Sequence, residues 1–269
     1  MKVSIFARTA GSLLVAALLL PLVWAVLASL MPERALFGTP DFVALDVEHY
    51  RALFAERDFW TPIRNSLIVA SLTTAAALLL AMPCAYAVAR TVFRGRRVVL
   101  GFVLAVSMFP QIAMVPSLYL MLRALHLLNT YVGLVLTYLT FALPLAVWLL
   151  ASFLRQLPRD IEDAAFIDGA SWARTVWEVI LPLSWPGVAT TGILVFLTSW
   201  NEFLFALSLT LGPERYTVPV AITLFRGQYQ VPWGQVLAAA VLATSVVAAL
   251  VLVAQRRIVA GLTSGAIKG

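Results

Sequence analysis

Residues 157–182 read LPRDIEDAAFIDGASWARTVWEVILP, a charged segment rich in small residues within an otherwise apolar chain. Asp160 is a candidate N-cap for a short helix at the start of this segment. One face of that helix, with i, i+3, i+4 and i+7 spacing, carries Ile161, Ala164, Ala165 and Asp168. Because two of these four residues are alanines, the face has little side-chain bulk.

A second short helix is predicted directly after the first. Gly169 is a candidate C-cap for the first helix, and Ser171 can begin a second helix, Trp172 to Ile180, that ends before Pro182. We therefore predict a helix-turn-helix, here called the knuckle (residues 157–182), with its two helices over 158–180. The alternative is an ordinary polar loop between two membrane helices.

The composition indicates an all-α integral membrane protein. Of 269 residues, 62% are hydrophobic and 12% are charged, and the mean hydropathy is +0.93. A bilayer core of ~30 Å needs about 20 apolar residues per helix. The apolar runs then predict six transmembrane helices: Thr9–Leu30, Ile63–Ala89, Val98–Leu122, Tyr131–Phe153, Leu183–Leu211 and Val236–Ala254.

Two regions follow from these spans. Residues 1–62 contain the first transmembrane helix and an acidic loop outside the cytoplasm, in which Asp46–Phe54 is a candidate surface helix. Residues 63–269 contain the other five spans, the knuckle and a C-terminal tail. The first apolar run exceeds a signal-peptide core and lacks a clear small-x-small cleavage site, so we expect it to be retained.

The basic residues indicate topology rather than nucleic-acid binding. The net charge is +6, but the arginines lie beside apolar runs and form no interleaved basic patch. Most of them fall on one side of the predicted spans: Lys2, Arg8, Arg90, Arg94, Arg96, Arg97, Arg155, Arg159, Arg174, Arg256, Arg257 and Lys268. By the positive-inside rule, this side is cytoplasmic and includes both termini and the knuckle.

The predicted fifth span carries Trp200, Asn201, Glu202 and Phe203. A carboxylate within a membrane helix is costly, and this set supplies hydrogen-bonding groups and aromatic faces, so it is a candidate substrate path. The alternative is an interfacial position near the end of the helix. Prolines within spans two to four also free backbone carbonyls, either along a path or at a packing kink.

The knuckle closely resembles the EAA motif of ABC importer permeases. Asp163-Ala164-Ala165 is followed by three residues, Gly169, nine residues, and Val179-Ile180-Leu181-Pro182. The motif has Glu at the position of Asp163 and Ile at that of Val179. Further segments resemble the carbohydrate, maltose-type branch of that family, and especially permeases for trehalose or other α-linked disaccharides: residues 85–90 (AYAVAR), 140–144 (TFALP), 167–170 (IDGA), Trp200-Asn201-Glu202 and the tail 261–269 (GLTSGAIKG).

The resemblance implies a type I ABC importer permease fold in a prokaryotic cell membrane. The implied partners are a second homologous permease, two ATPase subunits and an extracytoplasmic sugar-binding protein. The implied ATPase-coupling residues are Asp163, Ala164, Ala165, Asp168, Gly169, Ala170 and Pro182, with Arg256, Arg257 and Lys268 of the tail as further contacts. The knuckle would then seat in the ATPase like a peg in a groove.

The resemblance also implies that the chain is not an enzyme and binds no cofactor, with ATP and Mg held by the ATPase partner. The sequence contains no G-x-x-x-x-G-K-[ST] phosphate loop. One alternative is an ABC importer for another solute, such as glycerol 3-phosphate. A stand-alone carrier that uses Glu202 for protons or sodium is a second, and a haem-binding redox subunit is disfavoured because His49 and His126 lie outside the spans.

Overall fold

The computed structural model describes residues 5–38, 45–225 and 231–266, with side chains described except for residues 5–8, 10, 104 and 254–266. Within these ranges the chain is helical and contains no strand, which confirms the predicted all-α class. The chain divides into two compact units. One comprises Met1–Trp60 and Ala221–Val246, and the other comprises Thr61–Val220 and Val247–Gly269.

The described helices follow one another along the chain. They are α1 (Ile5–Ser29), α2 (Glu33–Leu36), α3 (Glu48–Ala55), α4 (Trp60–Arg90), α5 (Arg96–Met108), α6 (Gln111–Ala124), α7 (Tyr131–Leu154), α8 (Asp160–Ile167), α9 (Trp172–Arg174), a π-helical segment (Thr175–Ile180), α10 (Leu181–Leu183), α11 (Trp185–Trp200), α12 (Leu204–Leu209), a 3₁₀ turn (Pro213–Arg215), α13 (Val218–Thr223) and α14 (Trp233–Ala266). The predicted surface helix is present as α3.

Among the residues that the structure describes, four stretches are long and apolar enough to cross a membrane. They are Gly11–Ser29, Trp60–Arg90, Tyr131–Leu154 and Trp233–Val253. They are the helices that correspond to the predicted first, second, fourth and sixth spans. The remaining two predicted spans correspond to bent helix pairs, so a count of six holds if each pair forms one span.

The predicted third span is not one continuous helix, and the interruption lies at Pro110, one of the prolines noted within it. The span is divided into α5 and α6, whose axes are bent by 96°. Phe109 has an extended backbone (φ −71°, ψ 131°) between the two helices. This is the conformation that a following proline favours, and Pro110 also lacks the N–H that would continue the ladder. Pro116 and Pro144, by contrast, lie within α6 and α7.

The predicted fifth span, Leu183–Leu211, for which no interruption was expected, is wrong as a single helix. An 81° bend separates Trp172–Leu183 from α11. The helix α11 then ends at Trp200, and α12 begins at Leu204. This second break lies within the segment that we singled out as a substrate path.

The core of the larger unit is built on small residues. Alanines at i, i+4 spacing are fully buried on both α4 and α7: Ala77, Ala81 and Ala85 on the first, Ala142 and Ala146 on the second. The buried side chains Val176, Ile180 and Val188 belong to the same cluster. Small residues let helix backbones approach closely, which favours helix association in lipid, where the hydrophobic effect between helices is weak.

The smaller unit is held together by polar contacts near helix ends. The Glu33 carboxylate accepts hydrogen bonds from the backbone N–H of Trp233 (2.9 Å) and of Gly234 (3.2 Å). It thereby satisfies two backbone donors at the start of α14. The Ser29 and Tyr50 hydroxyls, 2.7 Å apart, join the end of α1 to α3.

Candidate functional site: the knuckle

The first helix of the knuckle is α8. Arg159 occupies its N-cap position with helical dihedrals (φ −73°, ψ −28°) and makes no side-chain cap. The prediction that Asp160 is the N-cap was therefore wrong, because the Arg159 carbonyl already accepts from Glu162 N–H (2.8 Å) and the helix begins one residue earlier than the capping pattern suggests. Asp160, Glu162 and Asp163 instead lie in the first turn, where carboxylates favour the helix dipole.

The turn after α8 is a Schellman motif, which confirms the predicted cap at Gly169. Gly169 has φ +81°. Its N–H donates to Phe166 O (3.0 Å), and the Ala170 N–H donates to Ala165 O (2.9 Å). These are the two bonds that define the motif, and its left-handed position favours glycine.

The second helix of the knuckle begins as predicted. The Ser171 hydroxyl accepts from Arg174 N–H (3.3 Å) and caps the helix. After one α-helical turn the chain widens into the π-helical segment Thr175–Ile180.

The prediction that this helix ends before Pro182 is wrong. The helix continues to Leu183. Leu181 N–H donates to Val176 O, five residues back, whereas Ser184 N–H donates to Ile180 O, four residues back. Pro182, which has no N–H, lies where the ladder changes from one register to the other, so the helix can pass through it.

The predicted small-residue face lines a recess of about 410 Å³ on the knuckle surface. All four predicted residues border it, together with Ala170, Arg174, Glu178 and Val179. Ala164 is exposed and Ala165 is buried. A bulky apolar side chain projects from another part of the knuckle surface, since Ile167 is 86% exposed. The knuckle thus combines a recess with an apolar projection, rather than a peg without bulk.

The two adjacent acidic residues of α8 point to different environments. Asp163 is exposed, whereas the Glu162 side chain is 9% exposed and lies 2.8 Å from Arg90 Nε through Oε1. The Tyr86 hydroxyl donates to Glu162 Oε2 (3.1 Å), and Arg90 Nη2 donates to Leu157 O (2.7 Å).

Sequence reasoning missed the buried pair between Arg90 and Glu162. We interpreted Arg90 as one of several topology markers and assigned Glu162 no role. A signal was present, because Arg90 directly ends an apolar helix, four residues before the next arginine of its cluster.

The predicted substrate-path residues lie at a helix break rather than within a membrane helix. The exposed Asn201 caps α11 through Nδ2, which donates to Leu197 O (2.8 Å). The Glu202 carboxylate is buried and accepts from the backbone N–H of Phe205 (2.8 Å) and of Ala206 (3.1 Å). Its burial is therefore explained by capping of α12.

The other two path residues differ in exposure. Trp200 is 2% exposed, and its ring stacks on Phe196 with centroids 5.9 Å apart. Phe203 is half-buried. The predicted tail contacts fall outside the described side chains: Arg256 and Arg257 lie in α14 with their side chains undescribed, and Lys268 lies beyond residue 266. Among the described residues, no group of three His, Cys, Asp or Glu side chains could hold a metal ion.

Comparison with known proteins identifies the family of this chain. The family model for the binding-protein-dependent transport system inner membrane component matches residues 77–264. The trehalose transport system permease protein SugB of Mycobacterium tuberculosis is 43% identical, with 96% of this chain and 95% of that protein covered. The trehalose/maltose transport system permease protein MalG of Thermococcus litoralis is 40% identical, with 96% and 95% covered.

A solved structure shows the same fold. A chain of a bacterial ABC transporter involved in the import of the acidic polysaccharide alginate superposes with a TM-score of 0.79 at 23% identity, covering 95% of this chain and 99% of that one. The knuckle, from Leu157 to Pro182, lies inside the matched family region. The chain belongs to the family of binding-protein-dependent transport system inner membrane components.

Proposed function

We propose that this chain is a permease subunit of an ATP-driven importer that moves a sugar, of the α-linked disaccharide class, into the cytoplasm. Two relatives, at 43% and 40% identity, are permeases of trehalose and trehalose/maltose transport systems. A relative at 38% identity is the sulfoquinovosyl glycerol transport system permease protein SmoH of Agrobacterium fabrum. The sugar class is supported by all three names, and the α-linked disaccharide by the first two.

The geometry of the knuckle carries the coupling assignment. Its recess is bordered by Ala164 and Asp168, and Ile167 projects beside it. The Asp163 carboxylate is exposed and can accept a charge-assisted hydrogen bond from a basic residue. The knuckle therefore offers a water-soluble partner a recess, an apolar contact and a negative charge on one surface. Such a surface can dock an ATPase subunit in the cytoplasm.

The remaining partners follow from the family. The family description states that transport depends on a binding protein. One solved structure that resembles this chain is a bacterial alginate ABC transporter in complex with an oligosaccharide-bound periplasmic protein. We infer a complex of this chain with a second permease, two ATPase subunits and an extracytoplasmic sugar-binding protein, in which ATP and Mg are bound by the ATPase and the tail carrying Arg256, Arg257 and Lys268 adds contacts to it.

The helix break at Trp200–Phe203 remains our candidate for the sugar path. Asn201 presents an exposed side chain there, and Glu202 stabilises the next helix. Helix breaks at membrane depth are tolerated where the backbone is buried in protein or faces water. A break of this kind is consistent with a path for a polar solute.

Copurification and uptake test the proposal with a matched pair of variants. Asp163→Lys and Asp160→Lys make the same charge change in the first turn of α8 and differ in the residue that we assign to the ATPase. Asp163→Lys should weaken copurification of the ATPase and abolish its stimulation by the loaded binding protein, whereas Asp160→Lys should behave like the wild type. Equal behaviour of the two variants would contradict the docking role of Asp163.

The solute is tested separately with vesicles that contain the whole complex. We expect ATP-dependent uptake of labelled trehalose or maltose and none of glycerol 3-phosphate. Uptake of glycerol 3-phosphate alone would leave the proposal of an ATP-driven importer standing and would contradict the proposal that its solute is a sugar. Uptake without an ATPase, driven by a proton or sodium gradient, would overturn both.

A further inference from the structure

We propose that Arg90, Glu162 and Tyr86 form a clamp that makes α8 move as one body with the end of α4. This inference rests on the proposed function. Displacement of the knuckle by the ATPase would then be transmitted to a membrane-spanning helix through this clamp. The three residues would be positioning residues for coupling, with no direct contact with ATP or sugar.

The Arg90 guanidinium makes two contacts with the knuckle. Its Nε lies 2.8 Å from Glu162 Oε1, and its Nη2 donates to the Leu157 carbonyl at 2.7 Å. Leu157 precedes α8 and Glu162 lies in its first turn. Two fixed points on either side of the helix start restrain both the position and the rotation of α8.

Tyr86 extends the clamp to the second helix of the knuckle. Its hydroxyl donates to Glu162 Oε2 (3.1 Å), and its ring meets the Trp172 ring edge-on, with centroids 5.6 Å apart and planes at 77°. The last turn of α4, which carries both Tyr86 and Arg90, therefore contacts α8 and α9 at once.

The burial of the pair distinguishes it from a surface ion pair. The Arg90 and Glu162 side chains are 4% and 9% exposed, whereas those of the knuckle pair Arg174–Glu178 are 65% and 62% exposed. An exposed pair can open and exchange its partner for water at little cost. A buried pair that opens leaves two charges without solvent, so it resists separation when the knuckle is displaced.

The test uses a variant that removes the clamp without leaving an unpaired charge. Arg90→Met combined with Glu162→Leu replaces the ion pair by apolar side chains of similar size, a change that buried pairs often tolerate. We expect the complex to assemble at wild-type level while the sugar imported per ATP hydrolysed falls about tenfold, the loss that one hydrogen bond to a charged group can produce.

Two further variants complete the design. Tyr86→Phe keeps the ring contact with Trp172 and removes the hydroxyl, and we expect a smaller fall in the same ratio. Arg94→Met removes an exposed arginine one turn beyond α4 and serves as the control, with the wild-type ratio expected.

Each outcome decides. A wild-type ratio in the double variant would overturn the clamp. If the double variant does not assemble, Tyr86→Phe decides, because a normal ratio in that variant would assign the three residues a purely structural role. Failure of the wild type to copurify with an ATPase would instead overturn the proposed function and is seen before any variant is made.

Discussion

Gly187 lies against the ring of Phe153, so closely that a β-carbon at Gly187 would overlap three atoms of that ring. Both residues are part of the contact between α7 and α11, the helix that follows the knuckle. The ring atoms concerned include Cγ, next to the backbone of α7, and these atoms cannot move aside easily. The missing side chain at Gly187 therefore sets how closely the two helices approach.

Replacement of Gly187 by alanine should destabilise the protein. Overpacking in a well-packed core costs about 1–3 kcal/mol, and the α7–α11 contact would have to open to accommodate the methyl group. We expect a lower apparent melting temperature of the purified protein in detergent. Gly101→Ala is the control, because an added β-carbon at Gly101 has no neighbour within 4 Å. Equal melting temperatures of the two variants would contradict this packing.

A second prediction concerns the cap at Gly169. An added β-carbon there meets nothing within 4 Å, so the cost of a substitution within this chain is conformational. At φ +81° a β-branched residue is strained by roughly 1–2 kcal/mol, whereas asparagine tolerates this region. Gly169→Val should reduce both assembly with the ATPase and uptake. Gly169→Asn should retain the cap, so a loss of assembly in this variant as well would point to steric exclusion by the partner instead.

The third prediction separates the two polar residues at the helix break. Asn201→Ala should reduce sugar uptake and leave the amount of complex unchanged, because its amide bonds within its own helix end. Glu202→Gln keeps one of two acceptor oxygens, so one buried N–H at the start of α12 loses its partner. That loss costs about 1–3 kcal/mol, and both uptake and thermal stability should fall.

The control for this pair is Thr198→Val. Thr198 is exposed one turn earlier on α11, and its hydroxyl also bonds to a backbone carbonyl of its own helix, Leu194 O at 2.6 Å. We expect normal uptake in this variant. Normal uptake in Asn201→Ala as well would remove this side chain from the sugar path.

A fourth prediction follows from the loop carboxylate Glu214. The Asn129 amide donates to Glu214 Oε1 (2.6 Å), and this hydrogen bond lowers the pKa of Glu214. A carboxylate whose pKa is lowered in the folded state stabilises the fold at pH values above the ordinary glutamate pKa of about 4.3. This stabilisation is lost as the pH falls through the folded-state pKa. The difference in stability between wild type and Glu214→Gln should therefore be constant near neutral pH and shrink on acidification, as thermal scans at a series of pH values would show. A difference that grows in acid would contradict the assigned direction.

The fifth prediction is the orientation in the membrane. With Cys84, the sole cysteine, replaced by serine, single cysteines at Gly95 and Asp160 should be protected from an impermeant thiol reagent added outside intact cells. A cysteine at Glu48 should react. The reverse pattern would place the knuckle outside and remove its access to a cytoplasmic ATPase.

The sequence was sufficient where local chemistry decides the structure. Gly169 and Ser171 were predictable because a left-handed cap and a hydroxyl N-cap depend on neighbours in sequence. The apolar runs of α1, α4, α7 and α14 were predictable for the same reason. The proline at the break between Phe109 and Pro110 was visible in the sequence. However, prolines also lie within α6 and α7 without breaking these helices, so the presence of a proline alone does not decide between a kink and a break.

Tertiary contacts set the limit of the sequence prediction. Arg90 and Glu162 are 72 residues apart in sequence, and no periodicity connects them. Glu202 was correctly singled out as an unusual carboxylate, yet its partners are backbone groups that become available only because α11 ends at Trp200. Asp160 fitted the cap pattern, but the chain already turns at Arg159.

The π-helical segment gives the second helix of the knuckle a tolerance to a change in chain length. The π segment accommodates an extra residue in its widened turn, and Pro182 marks the end of this insertion. Deletion of one residue within Thr175–Ile180 would remove that extra residue and let the segment return to ordinary α-helical winding, so the helix on either side would keep its orientation. The same deletion in α8, which is α-helical throughout, would rotate the residues that follow it by about 100°, on the geometry of 3.6 residues per turn. The two helices of the knuckle thus differ in the change of length that they tolerate.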